Sequence, residues 1–329
     1  MNKPNILLIA DKPNWAYDHM ANYIIEELGH KYNFYKIYAH YHKKKELQNF
    51  DYKIKQPLRK IKAKIYENYN KNLHYDIVVY LWWFIPEILD MKISFDYQVK
   101  GIFTESFPPG KTVDFNGNEK EFIERYIEPT NGIIAGNKNI FNYYSKFYKS
   151  VYYATGATDT KLFKPLSNKK ESLDFNVCWT GNPNRNFKGF FDFVEPAVKL
   201  AQSKRPNIKL ITRQSGSMKT LPLFYSNVDL MVNASIGDAG PGFIIDAGAC
   251  GIPTISTDTG FASEIIKDYQ NGLFVDRNIE AISEKIIELY DNKELLNKLS
   301  NNIRIDIHRD WGHNTRANDW DNVFKDLLS

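Results

Sequence analysis

The chain alternates short apolar runs with longer stretches whose apolar residues recur every three or four positions. Ile6-Leu7-Leu8-Ile9 is a continuous apolar run, as expected of a parallel strand buried on both faces. A loop over residues 11–17 leads into a helical pattern at Met20, Tyr23, Ile24 and Leu28, ending near Gly29-His30. Further strands are predicted at 34–38, 76–81, 101–104, 132–135 and 150–153, with a helix over 139–147. Strand and helix alternate, which is the pattern of a doubly wound α/β domain.

A second series of the same kind follows the stretch 156–165. Strands are predicted at 175–179, 208–211, 230–232, 254–256 and 272–275, the last after a turn at Asn271-Gly272. Helices are predicted over 190–201 (with Pro196 near its start), 242–249, 279–290 and 319–328. The expected organisation is an N-terminal Rossmann-like domain over 1–157 and a C-terminal one over 158–307. The segment 308–329 is expected to pack back on the first domain. Open α/β sheets bind ligands outside the carboxyl ends of their strands. Two such domains facing a central cleft would therefore place the site in that cleft.

Composition narrows the class. With 329 residues, 43% apolar and 25% charged, the chain has the make-up of a globular protein of about two domains. The longest apolar run, 77–85, is about half of what a membrane span needs. The first ten residues lack the long apolar region of a secretion leader. The only cysteines, Cys178 and Cys250, lie in apolar stretches, so a reduced, cytoplasmic chain without disulfide or zinc is expected. The net charge of +4 is unevenly spread. Residues 36–71, from Lys36 to Lys71, hold eleven Lys and Arg against three acids, a net of +8, interleaved with Tyr38, Tyr41, Phe50, Tyr52, Tyr66 and Tyr69. Such a segment suits anionic lipid headgroups, or less readily nucleic-acid phosphates, or is a solvated helix face. The lipid reading makes the chain peripheral on the inner face of a membrane.

Several motifs fail on inspection. Residues 107–112 end like a phosphate-binding loop, but Glu105 stands where its first glycine belongs. Gly240-Pro241-Gly242 opens like a dinucleotide fingerprint and then meets Ile245. Asp319 and Asp321 lie two apart on a predicted helix and do not share a face. His308-Arg309-Asp310 has no kinase context. Asn233-Ala234-Ser235 is a glycosylation sequon without a secretory context. No Cys/His cluster has metal spacing.

One stretch survives: Asp238-Ala239-Gly240-Pro241-Gly242-Phe243-Ile244-Ile245-Asp246, followed by Ala247-Gly248-Ala249-Cys250-Gly251-Ile252-Pro253-Thr254. A glycine-containing loop runs into a helix start, where backbone N–H groups suit a phosphate. Gly240 and Gly242 carry no side chain to hold it away. Asp246, one turn into the helix, is placed to accept from ribose hydroxyls, and Asp238, before the loop, to meet a sugar. Gly248 and Gly251 are expected to let the helix approach its sheet. The plain alternative is an N-terminal cap on a packed glycine helix.

The stretch resembles the signature of the retaining GT-B glycosyltransferases of family 4, in which two acids with seven residues between them precede a small-residue helix and Gly-x-Pro. Asp238 and Asp246 stand where that family usually has Glu. Gly251-Ile252-Pro253-Thr254, Gly260, Glu264 and Asn271-Gly272-Leu273-Phe274-Val275 fit. Upstream, Trp179-Thr180-Gly181 through Lys188-Gly189 resembles the family's Gly-Arg…Lys-Gly segment, with Asn182 in place of the Arg and Arg185 in the same loop. Asn227-Val228-Asp229-Leu230 and the segment 156–165, with Asp159 and Phe163-Lys164-Pro165, also match. In the N-terminal half, Leu28-Gly29-His30 matches a helix end, Trp15-Ala16 replaces a Gly-Gly loop, and Glu105 replaces an active-site His.

The resemblance implies metal-independent sugar transfer from a UDP- or GDP-sugar, with retention, to a hydroxyl of a glycan or lipid-linked acceptor in surface polysaccharide synthesis. No cofactor is implied. Donor-binding residues would be Gly181, Asn182, Arg185, Lys188, Arg213, Asp238, Gly240, Gly242, Phe243, Ile244 and Asp246. Lys188 and Arg185 would neutralise the leaving diphosphate, Asp238 would contact the donor sugar, and Glu105 would orient or deprotonate the acceptor hydroxyl. Trp15, Trp82 and Trp83 are candidates for the acceptor site, although paired tryptophans are also common core residues. Transfer to nucleic acid, or a catalytically weak sugar-nucleotide-binding subunit, are the other readings.

Overall fold

The computed structural model describes residues 2–48, 50–105, 118–166 and 172–329. The chain divides into two compact units, Met1–Thr155 with Arg316–Ser329, and Gly156–Thr315.

In chain order the first unit holds β1 (Asn5–Ala10), α1 (Ala16–Leu28), β2 (Asn33–Tyr38), α2 (Phe50–Ile54), α3 (Gln56–Tyr66), β3 (His74–Tyr80) and α4 (Ile85–Ile88). These are followed by β4 (Ser94–Ile102), α5 (Glu119–Phe122), β5 (Gly132–Ala135), α6 (Lys138–Tyr144) and β6 (Val151–Tyr153). All six strands are parallel, in the order β2-β1-β3-β4-β5-β6. The apolar run of β1 is wholly buried, one strand in from the β2 edge of this sheet. Because β1 pairs with β2 on one side and β3 on the other, the strand order reverses there. A crevice for a ligand opens at such a switch point.

β4 is nine residues long, more than twice the predicted run. Its first five residues, Ser-Phe-Asp-Tyr-Gln, are exposed or half-buried, and only its last four are fully buried. Helix α6 starts at Asn137, whose side chain accepts the N–H of Ile140, a standard N-terminal cap.

The second unit holds β7 (Phe175–Thr180), α7 (Glu195–Lys204), β8 (Ile208–Arg213), α8 (Leu221–Tyr225), β9 (Leu230–Asn233), α9 (Phe243–Ala249) and β10 (Thr254–Ser256). These are followed by α10 (Ala262–Ile265), β11 (Leu273–Phe274), α11 (Ile279–Asp291) and α12 (Lys293–Asp310). Its strands are again parallel, in the order β11-β10-β9-β7-β8. Here the order reverses at β7, between β8 and β9.

The helix predicted from 190 opens as a wide turn, Phe190–Val194, and becomes α-helical at Glu195 with Pro196 in its first turn, where proline's missing N–H costs nothing. Helix α12 has a mostly polar sequence; it buries Leu299, Ile303 and Ile307 at four-residue spacing. A Cβ on Gly248 would lie 2.9 Å from Ile303 and Ile307. Gly248 therefore admits α12 rather than the sheet, and Gly251, at φ +79°, terminates α9.

A last helix, α13 (His313–Leu328), places most of its length in the first unit. There the indole N–H of Trp320, wholly buried, donates to the Tyr23 hydroxyl at 2.6 Å, which in turn donates to the Thr155 carbonyl. Asp321 accepts from Tyr32 and Lys31. Asp319 pairs with Arg316 within its own helix.

Candidate functional site

The switch point of the second sheet is bordered by the loops that follow β7 and β9. One loop carries Gly181 to Lys188 and the other Asp238 to Gly242. Three contacts hold them together. The Ile236 N–H donates to the Phe187 carbonyl at 2.9 Å. The Arg277 guanidinium donates to the Ala234 carbonyl at 2.8 Å and to the Phe187 carbonyl at 3.4 Å. Gly189 sits at φ +65° with room for no Cβ, since one would lie 2.7 Å from the Ala234 carbonyl oxygen. Beneath them Asn233, Ser235, Ser256 and Thr257 form a buried hydrogen-bonded set. Asn233 is wholly buried, so the sequon is not a surface site.

This bracing brings Lys188 to Asp238. The ammonium lies 2.7 Å from the carboxylate, and both side chains are largely buried, at 12% and 15% exposure. A partly buried, hydrogen-bonded ion pair is costly to break on one side only. The same ammonium is 5.8 Å from the ring of Phe243, the first residue of α9, and 5.5 Å from that of Phe187. The cation thus sits beside the start of α9.

Around that start, the Ile244 N–H is bonded to the Pro241 carbonyl at 2.9 Å, while those of Gly242 and Phe243 have no protein acceptor among the described residues. A Cβ on Gly242 would meet nothing within 4 Å. The helix start is open, and the Lys188 ammonium lies near the side chain of its first residue.

Asp238 is held by the loop after β10. Thr259 exchanges hydrogen bonds with its backbone, and Gly260, at φ +56°, leaves only 2.0 Å between a notional Cβ and the Asp238 carbonyl oxygen. Gly240 touches the Phe261 ring in the same way, at 2.9 Å. Gly181 is at φ +142°, and its notional Cβ would lie 3.6 Å from the Lys188 stem.

Other expected donor residues are placed differently. Asp246 is partly buried, and its carboxyl accepts the Thr158 hydroxyl at 2.6 Å. Burial pushes that carboxyl up to about 7; Asp159 adds to the rise and the Thr158 hydrogen bond opposes it. Ile244 is wholly buried in the core that α9 shares with α12, so only its backbone borders the loop. Arg213 does not stand free for a base: its guanidinium donates to Ser217 and Thr220 and braces its own loop. Arg185 is exposed, its guanidinium 4.5 Å from the Phe187 ring. Asn182 is exposed and caps the Asn184 N–H.

Thr158 and Arg277 were not singled out by sequence. Neither belongs to a local pattern, and both act through residues 88 and 43 positions away.

In the first unit the loops after β1 and β3 border the other switch point. Trp15 follows β1, is 55% exposed, and carries the Lys12 ammonium 3.0 Å from its ring centre. Asp18 holds that loop by accepting the Asn14 N–H, and it also accepts from Lys36 and Tyr38. After β3, Trp82 is half-buried against the sheet's core, while Trp83 is buried among Phe84, Phe122 and Tyr126. Trp83 is a core residue, not a stacking platform. Glu105 accepts from the side chains of Asn137 and Asn139, both at 3.0 Å. Residues 107–112 lie outside the described residues. No three His, Cys, Asp or Glu side chains converge in metal-binding fashion among the described residues.

Residues 188–306 match the family model "Glycosyl transferases group 1", a span that begins at Lys188 and contains Asp238 and α9. No curated protein sequence matches the chain. Among solved structures, sucrose-phosphate synthase from Thermosynechococcus elongatus superposes with a TM-score of 0.74 at 12% identity, covering 99% of both chains. A glycosyltransferase from Rickettsia africae does so at 0.65 and 15% identity over 100% of both. Anabaena HepE, solved in complex with UDP and glucose, superposes at 0.65 and 12% identity, covering 97% of this chain and 99% of that one. The chain has the two-domain Rossmann-like architecture of GT-B glycosyltransferases, and its group 1 domain marks it as a glycosyltransferase.

Proposed function

We propose that this protein is a retaining, metal-independent glycosyltransferase of the family 4 type. It would move a hexose-type sugar from a nucleoside-diphosphate sugar to a hydroxyl of a glycan or lipid-linked acceptor. The observation that carries this reading is the Lys188–Asp238 pair at the β7/β9 switch point, beside the open start of α9.

In the reaction, the bond from the sugar's anomeric carbon to the diphosphate oxygen breaks, and the electron pair leaves with the diphosphate. A new bond forms from that carbon, on the face the diphosphate leaves, to the acceptor oxygen, whose proton passes to the departing diphosphate oxygen. The growing charge on the leaving group needs preorganised cations and N–H groups. Lys188 and the N–H groups of Gly242 and Phe243 supply them, with Arg185 at the rim. Asp238, adjoining this anion site, is the group for the transferred sugar. When the diphosphate arrives, Lys188 exchanges part of its bond to Asp238 for one to phosphate. Asp238 is thereby freed to accept from sugar hydroxyls. The UDP-glucose bound by Anabaena HepE makes UDP-sugars the first donors to try.

The test is donor turnover, read as release of nucleoside diphosphate from a panel of UDP- and GDP-sugars, by the parent protein and by Asp238→Ala. Turnover of at least one donor that falls at least about 100-fold in the variant supports the reading. A parent protein that turns over no donor, with or without added glycan and lipid acceptors, contradicts it.

A further inference from the structure

Helix α3 lies on the first unit with its apolar side outward. Leu58, Ile61 and Ile65 are 52%, 56% and 67% exposed, and they follow Phe50 and Ile54 of α2 at 80% and 60%. Of the sixteen exposed large apolar side chains among the described residues, seven fall within 47–66; the rest are scattered singly, as is normal on a protein surface. The cluster is therefore a patch, and patches of this kind mark interaction sites.

The orientation is fixed from the other side. Gln56, Arg59 and Ala63 are the residues of α3 that are not exposed. Arg59 lies 3.9 Å over the ring of buried Tyr52, whose hydroxyl donates to the Tyr41 carbonyl. At 100° per residue, the Leu58/Ile61/Ile65 stripe and the Arg59/Ala63 face point roughly 150° apart. Rotating the helix to bury the stripe would break that stack and strip Ala63 of its cover.

The chemistry of the missing cover follows from charge. α3 carries Arg59, Lys60, Lys62 and Lys64 and no acid; Lys62 and Lys64 are exposed on either side of the stripe, and Lys60 is exposed further round the helix. A second copy of this surface would set like charges against each other. Nucleic acid would leave the apolar stripe without a partner. An apolar stripe flanked by lysines fits the boundary layer of an acidic bilayer, with acyl chains under the stripe and headgroups at the lysines. Lys36, by contrast, is bonded to Asp18 and Asn22 and takes no part, so the working surface is narrower than the basic segment of the sequence.

We infer that α2 and α3 dock this protein on anionic membrane surfaces, with Phe50, Ile54, Leu58, Ile61 and Ile65 entering the interfacial layer. This inference stands apart from the transferase reading, because none of these residues belongs to the donor site.

The experiment is co-sedimentation of the intact protein with vesicles of phosphatidylcholine alone or with about 30% phosphatidylglycerol. The parent, Leu58→Ser/Ile61→Ser/Ile65→Ser and Lys60→Gln/Lys62→Gln/Lys64→Gln are compared, with circular dichroism and UDP binding as checks of folding. The parent should partition onto acidic vesicles at least about tenfold better than onto neutral ones. Each triple variant should lose about tenfold or more of that binding while keeping its helical spectrum and UDP affinity. Equal partition onto both vesicles, undiminished binding by the Ser variant, or a parent dimer that the Ser variant converts to monomer without any vesicle binding would each overturn the inference.

Discussion

Two residues in the second unit are under distinct physical constraints. Gly260 is under the sharper one. At φ +56°, with the Asp238 carbonyl 2.0 Å from any Cβ, it permits only hydrogen. Gly260→Ala is expected to lower unfolding free energy in urea by at least about 3 kcal/mol; a change below about 1 kcal/mol would show that the two loops do not meet.

Asp246 gives a pH signature. Its carboxyl is raised from 3.8 to about 7 by burial, so the native state holds a proton that the unfolded state releases between those values. Stability from this group is complete below about pH 4 and is lost as pH rises through 7. Asp246→Asn, neutral throughout, should therefore gain on the parent as pH climbs from 4 to 7.5, by at most about 4 kcal/mol. Urea melts across that range check it, and a difference that stays constant with pH would refute it.

At the scale of elements, α13 shows how a remote segment completes a core. Trp320 is wholly buried and bonded to Tyr23, 297 positions away. Trp320→Ala should cost about 3–5 kcal/mol, read as a lower midpoint for unfolding of the first unit; an unchanged midpoint would mean that this helix is dispensable.

The strands at 5–10, 74–80, 132–135 and 175–180 were legible because each contains a short continuous apolar run (6–10, 77–80, 133–135 and 177–179), which a sheet covered on both faces accommodates. β4 was recognised only at its buried end, because Ser94 to Gln98 reach beyond the covered part of the sheet. α12 was not read, since three buried residues in eighteen leave a faint pattern. The outward stripe of α3 was invisible for another reason. Periodicity tells that a helix has an apolar side, but not that Arg59 and Tyr52 will claim the inner one.

Across the whole molecule, two sheets of the same topology rule each place a switch point where loops gather, and both sets of sequence candidates fall there. Trp15, Trp82 and Trp83 flank the first; Lys188, Asp238, Gly240 and Gly242 border the second. That the motif-bearing loops lie at the carboxyl ends of the strands was predictable from the βα alternation; the strand order that sets the switch points was not. Nor was it predictable which side chains reach the crevice. Trp83, Ile244 and Arg213 are drawn elsewhere by packing and hydrogen bonding that no local spacing encodes. No helix among the described residues is long and apolar enough to cross a membrane.

The central claim is that a nucleoside diphosphate sits between Lys188 and the start of α9. Titration calorimetry of UDP and GDP into the parent protein and into Lys188→Met, which keeps the apolar stem and removes the charge, tests it most directly. The account predicts measurable binding of one nucleotide by the parent and an affinity at least about tenfold weaker in the variant, since a charged hydrogen bond is worth about 1.5–3 kcal/mol. Binding to the variant within twofold of the parent, with both proteins equally folded, would contradict it.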